Sequence, residues 1–139
     1  RTAGVANIDE YNRNAKKKLY RIVFACDEIA EVLDKTGLSK QQKDEILKIE
    51  SELSIIARQG RAFGIHLVLA TQRPDAAILN GQILNNIDTR ICGRADNVLS
   101  QIILDNTDAS DKIAKSSQGR FLTNSGKIFQ AYWFDENIL

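Results

Sequence analysis

Two continuous apolar runs most constrain what this 139-residue chain can fold into. They occupy residues 22–26 (IVFAC) and 65–70 (IHLVLA), and both contain β-branched residues. Runs of this length, without regular alternation of polar residues, are typical of strands covered on both faces. We therefore predict two buried strands, and the long helical segment between them predicts a parallel strand–helix–strand crossover.

The segment between the two runs carries the signals of a long helix. Ser39 followed by Gln42 is a capping-box pattern, in which each side chain bonds a backbone N–H left free at a helix start. Gly60 or Gly64 is expected to end the helix. An apolar stripe at spacings of three and four residues predicts the face that packs on a core: Ile46, Ile49, Leu53 and Ile56.

The other segments continue an alternation of short helices and strands. The predicted elements are a polar lead-in over 1–18, helices over 29–33, 78–84 and 96–104, a third strand over 89–93, and strands 119–123 and 128–134 that form a hairpin about the turn 124–126. This order predicts one α/β domain with a mainly parallel sheet, flanking helices and a C-terminal β-hairpin.

Charge and composition exclude several classes of protein. Lys and Arg total 19 against 18 Asp and Glu, so a net charge of +1 gives no electrostatic footprint of a dedicated nucleic-acid binder. No apolar run approaches the ~20 residues of a membrane span, and we expect this chain to be soluble and cytoplasmic. Cys26 and Cys92 lie among apolar neighbours and are expected to be reduced. Because the chain contains no methionine, we expect it to be a piece whose natural start lies upstream.

Polar residues follow each predicted strand, and ligands of open parallel sheets bind at such carboxyl ends. Asp27 and Glu28 follow the first run. A nucleotide hydrolase needs one carboxylate to hold Mg²⁺, usually through water, and another to orient or deprotonate the attacking water. The alternative is that acidic residues favour a helix N-terminus, whose dipole they complement.

The second strand end is the segment Thr71-Gln72-Arg73-Pro74. It places an amide and a guanidinium beside the first strand end, where they can sense the γ-phosphate of a nucleotide. The alternative is a loop with a hydrogen-bonded Thr cap and a proline that stops the strand.

Arg90 and Arg94 flank the predicted third strand. Either guanidinium can act across a subunit boundary, since an arginine supplied in trans stabilises the transition state of phosphoryl transfer. The alternative is a pair of surface ion pairs with Asp88 or Asp96.

Several other noticeable residues are interpreted as structural or solvent-exposed, and the phosphate-binding motif of nucleotide hydrolases is missing. We interpret His66 as a strand residue, the aromatics at 132–134 as edge-strand packing rather than a base-stacking surface, and the lysines at 16–18 as a solvated face. No GxxxxGK[ST] phosphate-binding loop occurs in the sequence. The residues alone therefore indicate an incomplete nucleotide-hydrolase core.

The string RQGRAFGIHLVLATQRP at 58–74 resembles the FtsK/SpoIIIE family of DNA translocases. Further resemblance lies in GVANIDEYN at 4–12, IVFACDE at 22–28, ILNNIDTR at 83–90 and the closing segment 130–139. The resemblance implies a RecA-like P-loop NTPase core, of which residues 1–139 are the C-terminal portion of one motor domain, from the Walker B strand onward and without the Walker A segment.

By this resemblance each candidate residue acquires a role. Asp27 and Glu28 correspond to the Walker B pair, Gln72 to a sensor-like residue, and Arg94 or Arg90 to a trans-acting arginine. ATP is expected beside Asp27, Thr71 and Gln72, with Mg²⁺ held by Asp27 through water. The expected partners are DNA and further copies in a hexameric ring, with membrane attachment through segments outside this chain at the cytoplasmic face.

Departures from the family's usual text indicate a branch. The segments 91–113 and QGRFL at 118–122 differ from chromosome-segregation members and resemble FtsK-like coupling proteins of Gram-positive conjugative elements. Two alternatives remain: a type VII secretion ATPase that moves protein, and a non-hydrolysing assembly module. The presence of both Asp27 and Glu28 argues against the assembly module.

Overall fold

The computed structural model describes residues 4–75 and 81–132. The chain divides into two compact units. Unit 1 contains the described residues of 1–73 and 77–87, and unit 2 contains those of 74–76 and 88–139. The described residues form a mixed α/β structure with one parallel and one antiparallel sheet.

Unit 1 contains the predicted crossover. Its elements are α1 (Ile8–Asn14), β1 (Ile22–Cys26), α2 (Ile29–Leu33), α3 (Lys40–Phe63), β2 (Ile65–Leu69) and α4 (Gly81–Leu84). β1 and β2 are parallel, in a register that runs from Ile22 opposite Ile65 to Cys26 opposite Leu69. The two apolar runs therefore form adjacent strands, as predicted. Residues 78–80 of the predicted helix 78–84 lie outside the described residues.

α3 begins and ends where its sequence signals indicate. Both bonds of the capping box between Ser39 and Gln42 are present. At the other end, Gly64 caps the helix in the left-handed conformation, with φ 75°. This positive φ favours glycine, since a residue with a Cβ atom rarely adopts it.

The buried face of α3 differs from the predicted stripe at one position. Ile46 packs on the core and Leu53 is buried, but Ile49 is 38% exposed. Glu50 is buried in its place, and its Oε1 lies 2.6 Å from the Nζ of Lys35. The prediction for Ile49 was wrong because positions 46, 50 and 53 share one face, and an ion pair makes a carboxylate acceptable there.

The core of unit 1 lies at one end of its sheet. Ile29, Leu33, Leu53 and Ile83 form the buried cluster, and Cys26, Leu67 and Leu69 pack against it. In contrast, Ile22, Val23 and Phe24 are 58%, 63% and 47% exposed. The prediction that both faces of β1 are covered is therefore wrong for the described residues, since only the last residue of β1 reaches the core.

Unit 2 is an antiparallel sheet with two helices. Its elements are β3 (Ile91–Cys92), α5 (Asn97–Leu104), α6 (Asp108–Lys112), β4 (Arg120–Thr123) and β5 (Ile128–Gln130), with strand order β3-β4-β5. The predicted hairpin of β4 and β5 is confirmed. The prediction of a mainly parallel sheet does not hold for the described residues of unit 2, because β3 is two residues long and pairs antiparallel with β4. α6 was not predicted, and 133–139 lie outside the described residues.

The core of unit 2 is closed by apolar residues and one internal hydroxyl. Its buried cluster consists of Cys92, Leu104, Ala109, Ile113 and Leu122. The Ser100 hydroxyl, fully buried, donates to the Asn106 carbonyl at 2.7 Å and accepts from the Ala109 N–H at 3.1 Å, which ties α5 to α6. Both cysteines are free, as predicted, and burial raises the pKa of the Cys92 thiol.

Among the described residues, no helix is long and apolar enough to cross a membrane.

Candidate functional site

The candidate site lies where β1 and β2 end side by side. Ladder-like backbone bonds continue beyond the strands: the Ala70 N–H donates to the Cys26 carbonyl at 2.8 Å, and the Ile29 N–H donates to the Ala70 carbonyl at 2.9 Å. These bonds hold the residues after each strand in a fixed relation. The predicted juxtaposition of Asp27-Glu28 with Thr71-Gln72 is present.

Glu28 is held at both carboxylate oxygens by the segment after β2. Its Oε1 accepts a short hydrogen bond from the Thr71 hydroxyl, and its Oε2 accepts the Gln72 backbone N–H at 2.9 Å. Two donors from one neighbouring segment fix both the position and the plane of the carboxylate. Sequence reasoning paired the two strand ends but gave Glu28 no such partners.

The Thr71 hydroxyl serves two partners at once. Its oxygen accepts the Arg73 backbone N–H at 2.9 Å, while its hydrogen is donated to Glu28. The sequence alternative of a hydrogen-bonded Thr cap is therefore present, and the same side chain also contacts the candidate base. A threonine directly after a strand is a sequence signal for such a turn, because its hydroxyl oxygen can accept the backbone N–H of the residue two positions further on.

These contacts lower the pKa of the Glu28 carboxyl. The Gln72 backbone N–H has the largest effect, the Thr71 hydroxyl follows, and the Ala30 N–H and the charge of Arg73 add to it, while burial opposes the shift. Hydrogen bonds to a carboxylate favour its ionised form. Glu28 therefore stays ionised to lower pH than an ordinary glutamate.

Asp27 stands in contrast to its neighbour. It is exposed, and its carboxylate makes no hydrogen bond or ion pair with another described residue. A free carboxylate beside a strand end has the donor chemistry that Mg²⁺ prefers, and Mg²⁺ keeps several waters when it binds one or two carboxylates. The described residues contain no cluster of three or more metal-ligating side chains.

Gln72 contributes through its backbone. Its side chain is exposed and makes no hydrogen bond with a described residue, whereas its N–H bonds Glu28. The proposed sensing role of the side-chain amide stays a prediction. The role of the backbone amide was missed, since a residue motif carries no information about main-chain donors.

Arg90 and Arg94 lie in unit 2 and differ in their surroundings. The Arg90 guanidinium pairs with Asp105, and its side chain is 15% exposed. Arg94 is exposed, and its Nη1 donates to the carbonyls of Ala95 at 3.1 Å, Ala109 at 3.4 Å and Ser110. The ion pair of Arg90 is thus with Asp105, which the predicted alternative of Asp88 or Asp96 did not include.

The remaining candidates are less informative. His66 lies within β2, and its Nε2 is 3.4 Å from Nη1 of Arg21, which forms an exposed ion pair with Asp9. Tyr132 is fully exposed, and Trp133 and Phe134 lie outside the described residues.

No protein-family model matches the chain. Individual curated proteins are similar to the chain. The chain is 35% identical over 127 residues to "DNA translocase FtsK" of Chlorobaculum tepidum and 33% identical over 129 residues to that of Haemophilus influenzae, which covers 90% of this chain in each case. It spans 14% and 23% of the length of these two relatives.

Two solved structures are also similar. The conjugation coupling protein TcpA of pCW3, described as a monomer form with ATPγS, has a TM-score of 0.89 and 42% identity over 99% of this chain and 40% of its own. The cytoplasmic domain of the type VII secretion ATPase EccC of Thermomonospora curvata has a TM-score of 0.67 and 22% identity, over 88% of this chain and 14% of its own. At that identity the second likeness shows the fold alone.

Proposed function

We propose, from the premise that the chain is a homologue of the FtsK/SpoIIIE-family DNA translocases, that it is part of an ATP-driven motor that moves DNA in conjugative transfer. The observation that carries the proposal is the pair of unequal carboxylates after β1. Glu28 is fixed by the neighbouring strand end, and Asp27 beside it is free.

We assign residues 1–139 to the C-terminal portion of one RecA-like motor domain, from the Walker B strand onward. The exposed apolar residues of β1 support this assignment, since Ile22, Val23 and Phe24 have the composition of a strand buried on both faces. The sequence contains no phosphate-binding loop, so the cradle for the nucleotide comes from another part of the motor.

Because Asp27 and Glu28 differ in their hydrogen bonding, we propose that each has its own role in ATP hydrolysis. Asp27 would hold Mg²⁺ through water, and the ion when bound neutralises charge on the phosphate oxygens. Glu28, kept ionised by its donors, orients the attacking water and accepts its proton. The side-chain amide of Gln72 lies after the adjacent strand, where it can report the presence of the γ-phosphate.

The proposed motor works as a hexameric ring at the cytoplasmic face of the membrane. In such a ring Arg94, and behind it Arg90, acts at the site of the neighbouring subunit. DNA is the proposed cargo because the named relatives are DNA translocases and a conjugation coupling protein. A protein-moving secretion ATPase is supported only by a likeness of fold.

The complete motor protein tests this function directly. We expect its ATP hydrolysis to rise when DNA is added, and we expect it to displace a triplex-forming strand from a duplex in the presence of ATP. Single-stranded and double-stranded DNA are compared as separate arms. Hydrolysis that responds to neither, together with stimulation by a secreted protein substrate, would favour the protein-moving alternative.

A further inference from the structure

We propose that Thr71 is a positioning residue for catalysis, whose hydroxyl holds the carboxylate of Glu28 in the plane required to orient the attacking water. The inference rests on the proposed function, because it gives Thr71 a role only if Glu28 acts on water. It differs from direct contact between Thr71 and the nucleotide, since the hydroxyl is already committed to protein groups on both sides.

The hydrogen-bond directions around Thr71 are determined by chemistry. A hydroxyl has one hydrogen to donate, and the Arg73 N–H can only donate. The 2.9 Å contact from Arg73 therefore occupies the hydroxyl oxygen as acceptor and leaves the hydrogen for Oε1 of Glu28. The turn after β2 thus sets the direction in which Thr71 donates.

Two donors hold Glu28 more strictly than one can. The Gln72 N–H fixes Oε2, but a carboxylate held at one oxygen still rotates about its terminal bond, whose torsion is broad. The Thr71 hydroxyl at Oε1 removes that freedom. An ionised carboxylate has about four lone-pair sites, so it can still accept a hydrogen bond from water after these donors are bound.

The test uses Thr71→Val in the complete motor, with Thr71→Ser as the matched control. Valine keeps the shape and loses the hydroxyl, and serine keeps the hydroxyl. Because small misplacements of catalytic groups cost up to ~10²-fold, we expect Thr71→Val to lower kcat roughly ten- to a hundredfold with the KM for ATP nearly unchanged. Thr71→Ser should stay near the wild type in both kcat and the KM for ATP.

A double variant separates positioning from a structural role. If Thr71 acts through Glu28, then Thr71→Val added to Glu28→Gln should lower kcat little further, since residues that act as a unit are not additive. An additive loss of kcat in the double variant, or a raised KM with an unchanged kcat in Thr71→Val, would overturn the inference. Thr71→Ala replaces Thr71→Val in the same comparison if the valine variant does not fold.

Failure of the inference and failure of the proposed function give different results. A Glu28→Gln motor that hydrolyses ATP like the wild type removes the proposed function and the inference together. A strongly impaired Glu28→Gln motor with a wild-type kcat for Thr71→Val removes the inference alone. Equal impairment of Thr71→Ser and Thr71→Val would likewise show that the hydroxyl is not the group that matters.

Discussion

Unit 1 and unit 2 differ in where their charged groups lie. In unit 2 the side chain of Arg90 pairs with Asp105 beside a core that contains Leu122 and Ile113, although Ile91 and Val98 are exposed. In unit 1 the carboxylate of Asp27 is exposed without a described partner, and Glu28 beside it has a lowered pKa. Because perturbed carboxylates at strand ends are typical of functional sites, the chemistry is expected in unit 1 and the supporting role in unit 2.

The arginines of unit 2 test that division most strongly. Arg94 is exposed, and only one of its three guanidinium nitrogens makes a hydrogen bond with a described residue. If it completes the neighbouring subunit's site, Arg94→Ala should lower hydrolysis by the ~10³ to 10⁵ that trans-acting arginines supply. Mixing it with Glu28→Gln subunits should restore part of the activity, because some boundaries then pair an intact Glu28 with an intact Arg94.

Arg90→Ala is the comparison variant for this experiment. Because Arg90 pairs with Asp105 inside unit 2, we expect a lower melting temperature rather than recovery on mixing. A fully active Arg94→Ala motor would eliminate Arg94, and recovery seen with Arg90 instead would exchange their roles.

Substitutions of Asp27 and Glu28 should change ATP hydrolysis in different ways. Asp27→Asn removes the free carboxylate, so we expect hydrolysis to require at least about tenfold more Mg²⁺, consistent with losses of 10- to 100-fold for metal-site changes. Titration of Mg²⁺ at saturating ATP measures this shift. Glu28→Gln should leave the Mg²⁺ midpoint in place, and a shifted midpoint there would mean that both carboxylates contact the ion.

The exposed β1 strand and the closed core of unit 2 should differ in stability effects. Leu122→Ala opens a cavity in unit 2 and should cost about 2–5 kcal/mol. Val23→Thr on β1 should cost less than about 0.5 kcal/mol in the 139-residue chain, as for surface positions. In the complete motor, where we propose that β1 is covered, the Val23→Thr cost should rise, and denaturant unfolding of both proteins checks it.

The sequence predicted local structure better than the pairing of strands. Apolar patterns predicted the strand 22–26 and the helix 29–33, and the capping box predicted the start of α3. The end of α3 lies at Gly64, one of the two glycines expected there. The partner of β3 did not follow, because a two-residue strand carries no periodicity that distinguishes parallel from antiparallel pairing. α6 was missed because its sequence, DASDK, contains no apolar stripe.

The sequence predicted which side chains of the candidate site lie near one another, but it did not predict the hydrogen bonds that join them. Aligned strand ends brought Asp27, Glu28 and Gln72 to one edge of the sheet, since parallel neighbours end together. The bonds from Thr71 and the Gln72 N–H to Glu28 depend on how the chain turns after β2. Main-chain geometry of that kind is absent from residue types and spacings.

Glu28 is proposed as the base of an ATP hydrolysis site in the complete motor, and DNA-stimulated phosphate release tests this role. Glu28→Gln is measured beside Glu31→Gln, since Glu31 is an exposed glutamate three residues further on in α2. We expect Glu28→Gln to bind ATP normally and lose ~10² to 10⁴ in turnover, the typical contribution of a general base, while Glu31→Gln stays near the wild type. Equal and undiminished turnover by both variants would show that Glu28 is not the base.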